Sequence, residues 1–287
     1  MTIDLPAEGV VYCKKIQTAE MEVSEMEERK IGQIKEELKA ATEAMLPSFI
    51  MAYESDERSG VIKLVEQAKK RLQKLEEERK RIWKLQEYER KYGQYTYICG
   101  IDEVGRGPLA GPVVAGAVIL PKDCDILYIN DSKKLTAAKR EELYDEIMEK
   151  AVAAGIGMVS PQRIDEINIL QATYEAMREA ISKLEPAPDI LLNDAVTIPE
   201  VTIPQVPIIK GDAKSISIGA ASIIAKVTRD RLMYSYDELY PEYGFAKHKG
   251  YPTKGHLEAM HTYGVINDIY RKSYGPVAAM QQLVFDL

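Results

Sequence analysis

The chain has 287 residues, of which 46% are hydrophobic and 29% charged, the composition of an ordinary globular protein with a buried core. No apolar run reaches the roughly 18–20 residues of a membrane span, and three cysteines without a Cys-x-x-Cys pair favour a cytoplasmic location. The net charge of −7 does not exclude nucleic acid as a ligand, because a basic surface can exist on an acidic protein.

Two long helices are predicted in the N-terminal third of the chain. Ala19–Met45 carries apolar residues every three to five positions, the spacing of one buried helix face. Pro47 is predicted to end this helix, since proline cannot continue the hydrogen-bond ladder. After a polar break at Ser55–Gly60, the segment Val61–Tyr92 repeats the apolar spacing. We therefore expect residues 1–95 to form an all-helical extension.

The second predicted helix carries two basic clusters, Lys69–Arg71 and Arg79–Arg81. Such clusters usually form a solvated helix face, and they can also line a groove that holds a nucleic-acid backbone. The sequence leaves both interpretations open.

Residues 96–287 are predicted to form an α/β domain with a helical C-terminal region, because short apolar runs alternate there with helical stretches. A hairpin followed by β-α crossovers should give a mixed sheet flanked by helices. The predicted strands are Tyr97–Val104, Val113–Leu120, Gly155–Ser160, Ile190–Asn193 and Val206–Ile209. The predicted helices are Ala137–Ala153, Pro161–Leu184, Ile218–Glu238 and Thr253–Tyr263.

Acidic residues stand where three of these apolar strands end. Asp102 and Glu103 are adjacent within the first strand, Asp194 follows the fourth and Asp212 follows the fifth. Burying neighbouring carboxylates without a partner costs roughly several kcal/mol, and a bound cation removes this cost. Any single aspartate could instead be a cap or a surface turn, but together the four acids favour a site for Mg²⁺ or Mn²⁺.

A competing motif overlaps the first strand. Gly105–Ala110 matches the Gly-x-Gly-x-x-Ala dinucleotide fingerprint, with Asp125 near the position of a ribose-binding acid. That motif requires a helix to follow, whereas Val113–Leu120 has the composition of a strand. We therefore disfavour dinucleotide binding.

Five segments resemble bacterial ribonuclease HII over about residues 97–277. The resemblance implies a ribonuclease H-like fold with a mixed five-stranded sheet, and it implies little about residues 1–95. Asn193 departs from the family pattern, where an apolar residue is usual, and so does Gly219, where alanine is usual. The five segments are Asp102–Pro112, Asp131–Leu135, Lys210–Lys214, Ala220–Arg231 and Lys249–Lys254.

The resemblance also implies roles for individual residues. The metal-binding and catalytic carboxylates would be Asp102, Glu103, Asp194 and Asp212, with Asp230 as a rival to Asp212 that an ion pair with the flanking arginines explains more simply. The substrate-binding residues would be Gly105, Arg106 and Gly107, which meet the 2′-hydroxyl of RNA, and Tyr251, which stacks on a sugar. Apart from the resemblance, Ser132 and Lys133 precede a predicted helix and Lys210 and Lys214 stand near an acid, so these four are candidates for contacts with phosphates. Ser132 could instead be a helix cap, and the lysines could be structural counter-charges.

The implied activity is that of an endoribonuclease. It would hydrolyse the RNA strand of RNA–DNA hybrids and nick 5′ of ribonucleotides embedded in duplex DNA, leaving 3′-hydroxyl and 5′-phosphate ends. Four carboxylates would hold two divalent ions, Mg²⁺ or Mn²⁺, during catalysis. The alternatives are a nuclease of the same fold that acts on DNA, and a non-catalytic nucleic-acid-binding module whose acids are structural.

Overall fold

The structure, a computed structural model, describes residues 29–285; the predictions for residues 1–28 lie outside this range. The chain forms two compact units, which divide between Lys80 and Arg81. Residues 81–95 of the predicted extension therefore belong to the same compact unit as the sheet.

Within residues 29–80, the described part of the first unit, three α-helices surround one apolar core. They are α1 (Ile31–Ala40), α2 (Leu46–Tyr53) and α3 (Ser59–Leu85), the last of which continues into the second unit. Pro47 does not end a helix, contrary to the prediction. It lies in the first turn of α2, where its missing N–H is not needed. The core residues lie on facing sides of the helices and include Ile34, Leu38, Phe49, Tyr53, Val61, Leu64 and Ala68.

The second predicted helix is interrupted near its end. α3 ends at Leu85, and a short helix α4 (Glu87–Lys91) follows Gln86. Ile82 and Leu85 are buried in a core cluster of the second unit together with residues of the sheet and of a later helix.

A mixed sheet of five strands forms the centre of the second unit. Its order is β3-β2-β1-β4-β5, in which β1, β2 and β3 are antiparallel neighbours and β4 and β5 run parallel to β1. The predicted mixed sheet is confirmed, and each predicted strand is found within two residues of its expected ends. The strands are β1 (Ile98–Val104), β2 (Val113–Ile119), β3 (Ala153–Val159), β4 (Ile190–Asp194) and β5 (Gln205–Ile208).

Because Val113–Ile119 is a strand and not a helix, the dinucleotide motif lacks the helix N-terminus that it requires. Asp125, its proposed ribose ligand, instead forms an ion pair with Lys150 at 2.8 Å.

Helices pack on the sheet and form the C-terminal region. α7 lies directly against β1, because a Cβ on Gly100 would be only 2.0 Å from the carbonyl carbon of Ser217. Only glycine permits so close an approach. The helices are α5 (Ala137–Lys150), α6 (Pro161–Ser182), α7 (Ile216–Leu239), α8 (Phe245–His248), α9 (Lys254–Tyr263) and α10 (Gly275–Phe285).

The helices between residues 29 and 285 differ in length and in apolar character. None of them combines the length and the apolar character that crossing a bilayer requires.

Candidate active site

The carboxylates of Asp102 and Glu103 lie at the end of the central strand β1. Asp102 is buried, and its Oδ1 accepts a hydrogen bond from the Glu103 amide at 2.8 Å. Glu103 is largely buried, and its Oε1 lies 3.4 Å from Nη1 of Arg106. Adjacent residues of a strand point to opposite faces, so the two acids flank the strand end from both sides.

The register of the parallel strands brings Asp194 beside Asp102. The last paired positions of β1 and β4 are Ile101 and Asn193, so Asp102 and Asp194 are the next neighbours and point to the same face of the sheet. Asp194 Oδ1 accepts a hydrogen bond from the Gly211 amide at 2.7 Å. This bond ties the end of β4 to the turn that follows β5.

Asp212 lies in that turn, a 3-10 helix of residues Gly211–Ala213 that precedes α7. Burial raises the pKa of Asp212, the charges of Asp131 and Asp194 raise it further, and Lys133 opposes the shift. The turn therefore brings the fourth predicted acid into the electrostatic environment of the others. Asp131 was not predicted as a site residue, although it opens the segment Asp131–Leu135.

One carboxylate is common to the electrostatics of the whole cluster. The charge of Asp194 raises the pKa of Asp102, Glu103 and Asp212. Burial is the largest cause of the raised pKa for each of the three, and for Asp102 the charge of Glu103 comes second. Hydrogen bonding from Ser222 opposes the shift at Asp102. Like charges that raise one another's pKa are stabilised when a cation binds between them.

The donor set of this cluster fits a hard divalent cation, because every candidate ligand is a carboxylate oxygen. Glu103 Oε2 is buried and has no hydrogen-bond partner among residues 29–285, so it retains an acceptor for such an ion. No three His, Cys, Asp or Glu side chains in this described range form a group that could already hold a metal ion. The four acids thus share one environment without forming a closed ligand set.

Asp230, the rival fourth ligand, is satisfied by cations. Its carboxylate pairs with Lys226 at 2.7 Å and with Arg140 at 3.7 Å. The expectation of an ion pair agrees with this arrangement, but the partners are not the flanking arginines. Arg229 donates to backbone carbonyls, and Arg231 pairs with Glu141 at 2.5 Å.

The structure places the Gly105–Gly107 loop beside Tyr251. A Cβ built on Gly107 would lie 3.5 Å from Cε1 of Tyr251, whose side chain is 42% exposed. Gly105 has φ +92°, a backbone conformation that side chains disfavour. The two predicted recognition elements therefore meet at an accessible surface.

Two fully buried arginines hold these loops. Arg271 donates to the carbonyls of Gly105 at 2.5 Å, Arg106 at 3.0 Å and Gly111 at 2.9 Å. Since a trans peptide points its N–H opposite to its C=O, the inward carbonyls of Gly105 and Arg106 direct the next two amides away from Arg271.

The second arginine joins the two loops. Arg229 donates to the carbonyls of Ala110 at 2.8 Å, Pro112 at 3.0 Å and Lys249 at 2.9 Å. Neither arginine was predicted, because an arginine in a helix or loop is usually exposed.

The predicted phosphate contacts differ in exposure. Lys133, Lys210 and Lys214 are exposed. Ser132 is buried, contrary to a role in direct phosphate binding, because its hydroxyl lies 2.9 Å from the Ser222 hydroxyl and is enclosed by protein. Ser132 thereby supports the serine that bonds to Asp102.

The basic clusters on α3 are partly used within the protein. Arg71 donates to the carbonyls of Leu38 and Ala41 at the end of α1, at 2.8 and 3.2 Å. Within the second unit, Arg81 donates to the Ile129 carbonyl at 2.7 Å. Lys69, Lys70 and Arg79 are exposed.

The sheet order and the carboxylates at its strand ends define a metal-dependent nuclease of the ribonuclease H fold, the class that the sequence resemblance implied. Comparison with protein families supports this class: the model of ribonuclease HII matches residues 99–276, and that of the ribonuclease HII N-terminal domain matches residues 30–93.

Individual relatives agree with the family match. Ribonuclease HII of Lachnoclostridium phytofermentans is 62% identical over 245 residues, which cover 85% of this chain and 96% of the relative. That of Clostridioides difficile is 51% identical over 251 residues, or 87% of this chain and 98% of the relative. The crystal structure of ribonuclease H2 from Pyrococcus horikoshii superposes with a TM-score of 0.57 and 28% identity, over 67% of this chain and all of that one.

The chain therefore belongs to the ribonuclease HII family. It is a ribonuclease H, a metal-dependent endonuclease that acts on RNA–DNA hybrids.

Proposed function

We propose that the chain hydrolyses RNA in hybrids and also nicks 5′ of single ribonucleotides embedded in duplex DNA, at the carboxylate cluster of Asp102, Glu103, Asp194 and Asp212. The observation that carries the proposal is the set of acids around Asp194: burial raises the pKa of Asp102, Glu103 and Asp212, and the charge of Asp194 raises all three further. Such a set is unfavourable by itself and becomes favourable with bound cations.

The four carboxylates would hold two divalent ions, Mg²⁺ or Mn²⁺. Bound there, the ions would lower the pKa of an attacking water and neutralise the charge that develops on the phosphate and on the leaving 3′ oxygen. Glu103 would contribute Oε2, the buried oxygen that has no hydrogen-bond partner among residues 29–285. Asp194 contributes Oδ2, because its Oδ1 is engaged by the Gly211 amide.

Recognition of RNA would come from the loop Gly105–Gly107. Arg271 turns the carbonyls of Gly105 and Arg106 inward, so the amides of Arg106 and Gly107 face outward and can donate to a 2′-hydroxyl. A deoxyribose lacks that acceptor, which makes this contact specific for RNA. Tyr251, next to Gly107, would stack on the adjoining sugar.

Phosphates of the duplex would be neutralised by the exposed Lys133, Lys210 and Lys214. Lys133 already acts electrostatically on Asp212, and Lys210 and Lys214 flank the turn that carries that acid. Cations so close to the carboxylates would draw the scissile phosphate toward them. The products would be 3′-hydroxyl and 5′-phosphate ends, and a cytoplasmic location stays a prediction.

The test uses three duplexes of identical sequence, one all DNA, one RNA–DNA hybrid and one DNA with a single ribonucleotide. With Mg²⁺ we expect the hybrid to be cut and the third duplex to be nicked on the 5′ side of the ribonucleotide, while EDTA abolishes both. Cleavage of the all-DNA duplex at a similar rate would indicate a DNA nuclease of the same fold. Cutting of the hybrid alone would remove the proposal of nicking at single ribonucleotides.

A further inference from the structure

A carboxylate of the N-terminal region contacts the segment that carries Asp212. Glu89, in α4, accepts hydrogen bonds at Oε1 from the Ser215 hydroxyl at 2.5 Å and from the Ser217 amide at 3.0 Å. Ser215 is the N-cap of α7, and Ser217 lies in its first turn. The Glu89 carboxylate thus accepts hydrogen bonds at the N-terminus of α7, the helix that follows the Asp212 turn.

The turn itself is short and internally bonded. The amides of Lys214 and Ser215 both donate to the Gly211 carbonyl at 2.9 Å. At the other end, the Gly211 amide donates to Asp194. The segment 211–215 is therefore anchored at its start by Asp194 and at its end by Glu89, with Asp212 between them.

Burying this acid has a cost that its contacts offset. Burial raises the pKa of Glu89, and the bonds from Ser215 and Ser217 oppose the shift. A helix N-terminus favours a negative charge, because its first amides are unpaired and its dipole is positive there. Glu89 Oε2 has no hydrogen-bond partner within the described part of the chain, so the side chain is held through one oxygen.

The start of α7 also has little freedom where it packs on β1, because a Cβ on Gly100 would be only 2.0 Å from the carbonyl carbon of Ser217. A loss of the Glu89 bonds would therefore be relieved mainly in the preceding turn, where Asp212 lies.

We propose that Glu89 is a positioning residue for the carboxylate cluster, and that it fixes the Asp212 turn relative to Asp194 by holding Ser215 and Ser217. The inference rests on the proposed function of that cluster. Its consequence is that residues 81–93 take part in building the active site, although they precede the sheet in sequence and carry no ligand. Glu89 acts on the affinity for divalent ions and on kcat, and leaves nucleic-acid binding nearly unchanged.

The test compares Glu89→Ala, Glu89→Gln and Ser215→Ala in the full chain. Mn²⁺ binding is measured by calorimetry without substrate, and kcat and KM are measured on the single-ribonucleotide duplex across a Mg²⁺ titration. Removing a residue that orients a metal ligand typically weakens metal binding about 10–100-fold. We expect a loss of this size for Glu89→Ala with KM unchanged, and a loss below about threefold for Glu89→Gln, which keeps the acceptor oxygen.

Two controls separate positioning from folding. Glu87→Ala removes an exposed acid of the same helix and should leave metal affinity unchanged. If Glu89→Ala does not fold, the other two variants test the positioning role. Ser215→Ala should then weaken Mn²⁺ binding, whereas Glu89→Gln should preserve it. If all variants fold, the loss of Mn²⁺ affinity in the double variant Glu89→Ala/Ser215→Ala should be smaller than the sum of the losses in the two single variants.

The proposal is overturned if Glu89→Ala lowers only the melting temperature and retains wild-type Mn²⁺ affinity and kcat. If Glu89→Ala does not fold, the proposal is overturned when Ser215→Ala binds Mn²⁺ as the wild type does. A wild-type protein that neither binds Mn²⁺ nor cleaves would instead refute the proposed function.

Discussion

The second unit buries two clusters of like charge, and they are built in opposite ways. The acids around Asp194 have few internal partners, and Glu103 has an oxygen with none in the described structure. The arginines 229 and 271 are more deeply buried, and their guanidinium groups donate three and four hydrogen bonds, nearly all to backbone carbonyls. Burial, together with the charge of Arg271, lowers the pKa of Arg229 to about 10.

The difference shows what a buried charge indicates. Where backbone carbonyls accept most of the hydrogen bonds of a buried charge, as at Arg229 and Arg271, the charge holds the surrounding loops in place. Where a buried oxygen has no partner in the described structure and neighbouring charges repel, as at the acids, the charge indicates a binding site for a cation. Asp230 follows the first pattern, because it is buried but paired with Lys226 and Arg140.

Among variants of the two buried clusters, we expect the largest loss of cleavage activity from a change at Asp102. Asp102→Asn keeps the shape and removes one negative charge, so cleavage should fall by about 10³-fold or more. Steady-state cleavage at saturating Mg²⁺ measures this loss, and a folded variant with near-wild-type turnover would exclude Asp102 as a ligand.

The same variant changes the pH dependence of stability without metal. The folded protein holds the Asp102 proton to higher pH than the unfolded chain, because the pKa of Asp102 is raised. The contribution of Asp102 to wild-type stability should therefore fall as pH rises above about 4. In Asp102→Asn this fall should be smaller, which melting curves in EDTA from pH 4 to 8 would show.

A paired comparison of two aspartates sharpens the contrast. Asp212→Asn should lower cleavage by orders of magnitude with little loss of stability, because Asp212 lies with the unpaired acids. Asp230→Asn should cost about 1–3 kcal/mol of unfolding free energy, because it leaves buried cations unpaired, and should retain more activity. Denaturant unfolding and cleavage rates measured on both variants check this, and the reverse pattern would identify Asp230 as the ligand.

The arginine cluster should respond mainly in stability. Arg271→Met removes the arginine donors of the carbonyls of Gly105, Arg106 and Gly111, of which Arg106 keeps the Tyr274 hydroxyl. This should cost about 3–5 kcal/mol and reduce the preference for RNA over DNA. Arg231→Met is the matched control, since its ion pair with Glu141 is exposed and should contribute below about 1 kcal/mol. Equal losses in the two variants would remove the assigned role of Arg271.

The smallest effect concerns the support of Tyr251. His256 is buried with one ring nitrogen 2.8 Å from the Tyr251 carbonyl and the other 2.8 Å from the Tyr270 hydroxyl, and its pKa is lowered to about 4. Because the folded protein resists protonation of His256 that the unfolded chain accepts, the contribution of His256 to stability should fall as pH is lowered from about 6.5 to 4. His256→Asn should flatten this part of the stability profile, and an unchanged slope would contradict the assignment.

The strands and the acids at their ends could be predicted from the sequence, because each depends on local pattern. Asp102 and Glu103 interrupt an apolar strand, and Asp194 and Asp212 follow the two strands that run parallel to it. The carboxyl ends of parallel strands meet at one edge of a sheet, which is why separate motifs indicated one site.

The supporting residues depend on distant partners and left no such pattern. Glu89 stands in a helix of mixed charge, and its partners Ser215 and Ser217 are more than 120 residues away in the chain. Arg271 is buried where it donates to carbonyls of the loop 105–111, more than 150 residues before it in the chain. Of the partners of Asp230, Lys226 has the i, i+4 spacing of a helical ion pair and could have been predicted, whereas Arg140 could not.

The most direct test of the carboxylate cluster is calorimetric titration of Mn²⁺ into the wild-type chain, Asp194→Asn and Asp230→Asn, without substrate. Asp194 is the acid whose charge acts on the other three, so its neutralisation should weaken Mn²⁺ binding about 10-fold or more. Asp230→Asn should bind as the wild type does. Equal Mn²⁺ affinity in the wild type and Asp194→Asn would contradict the account.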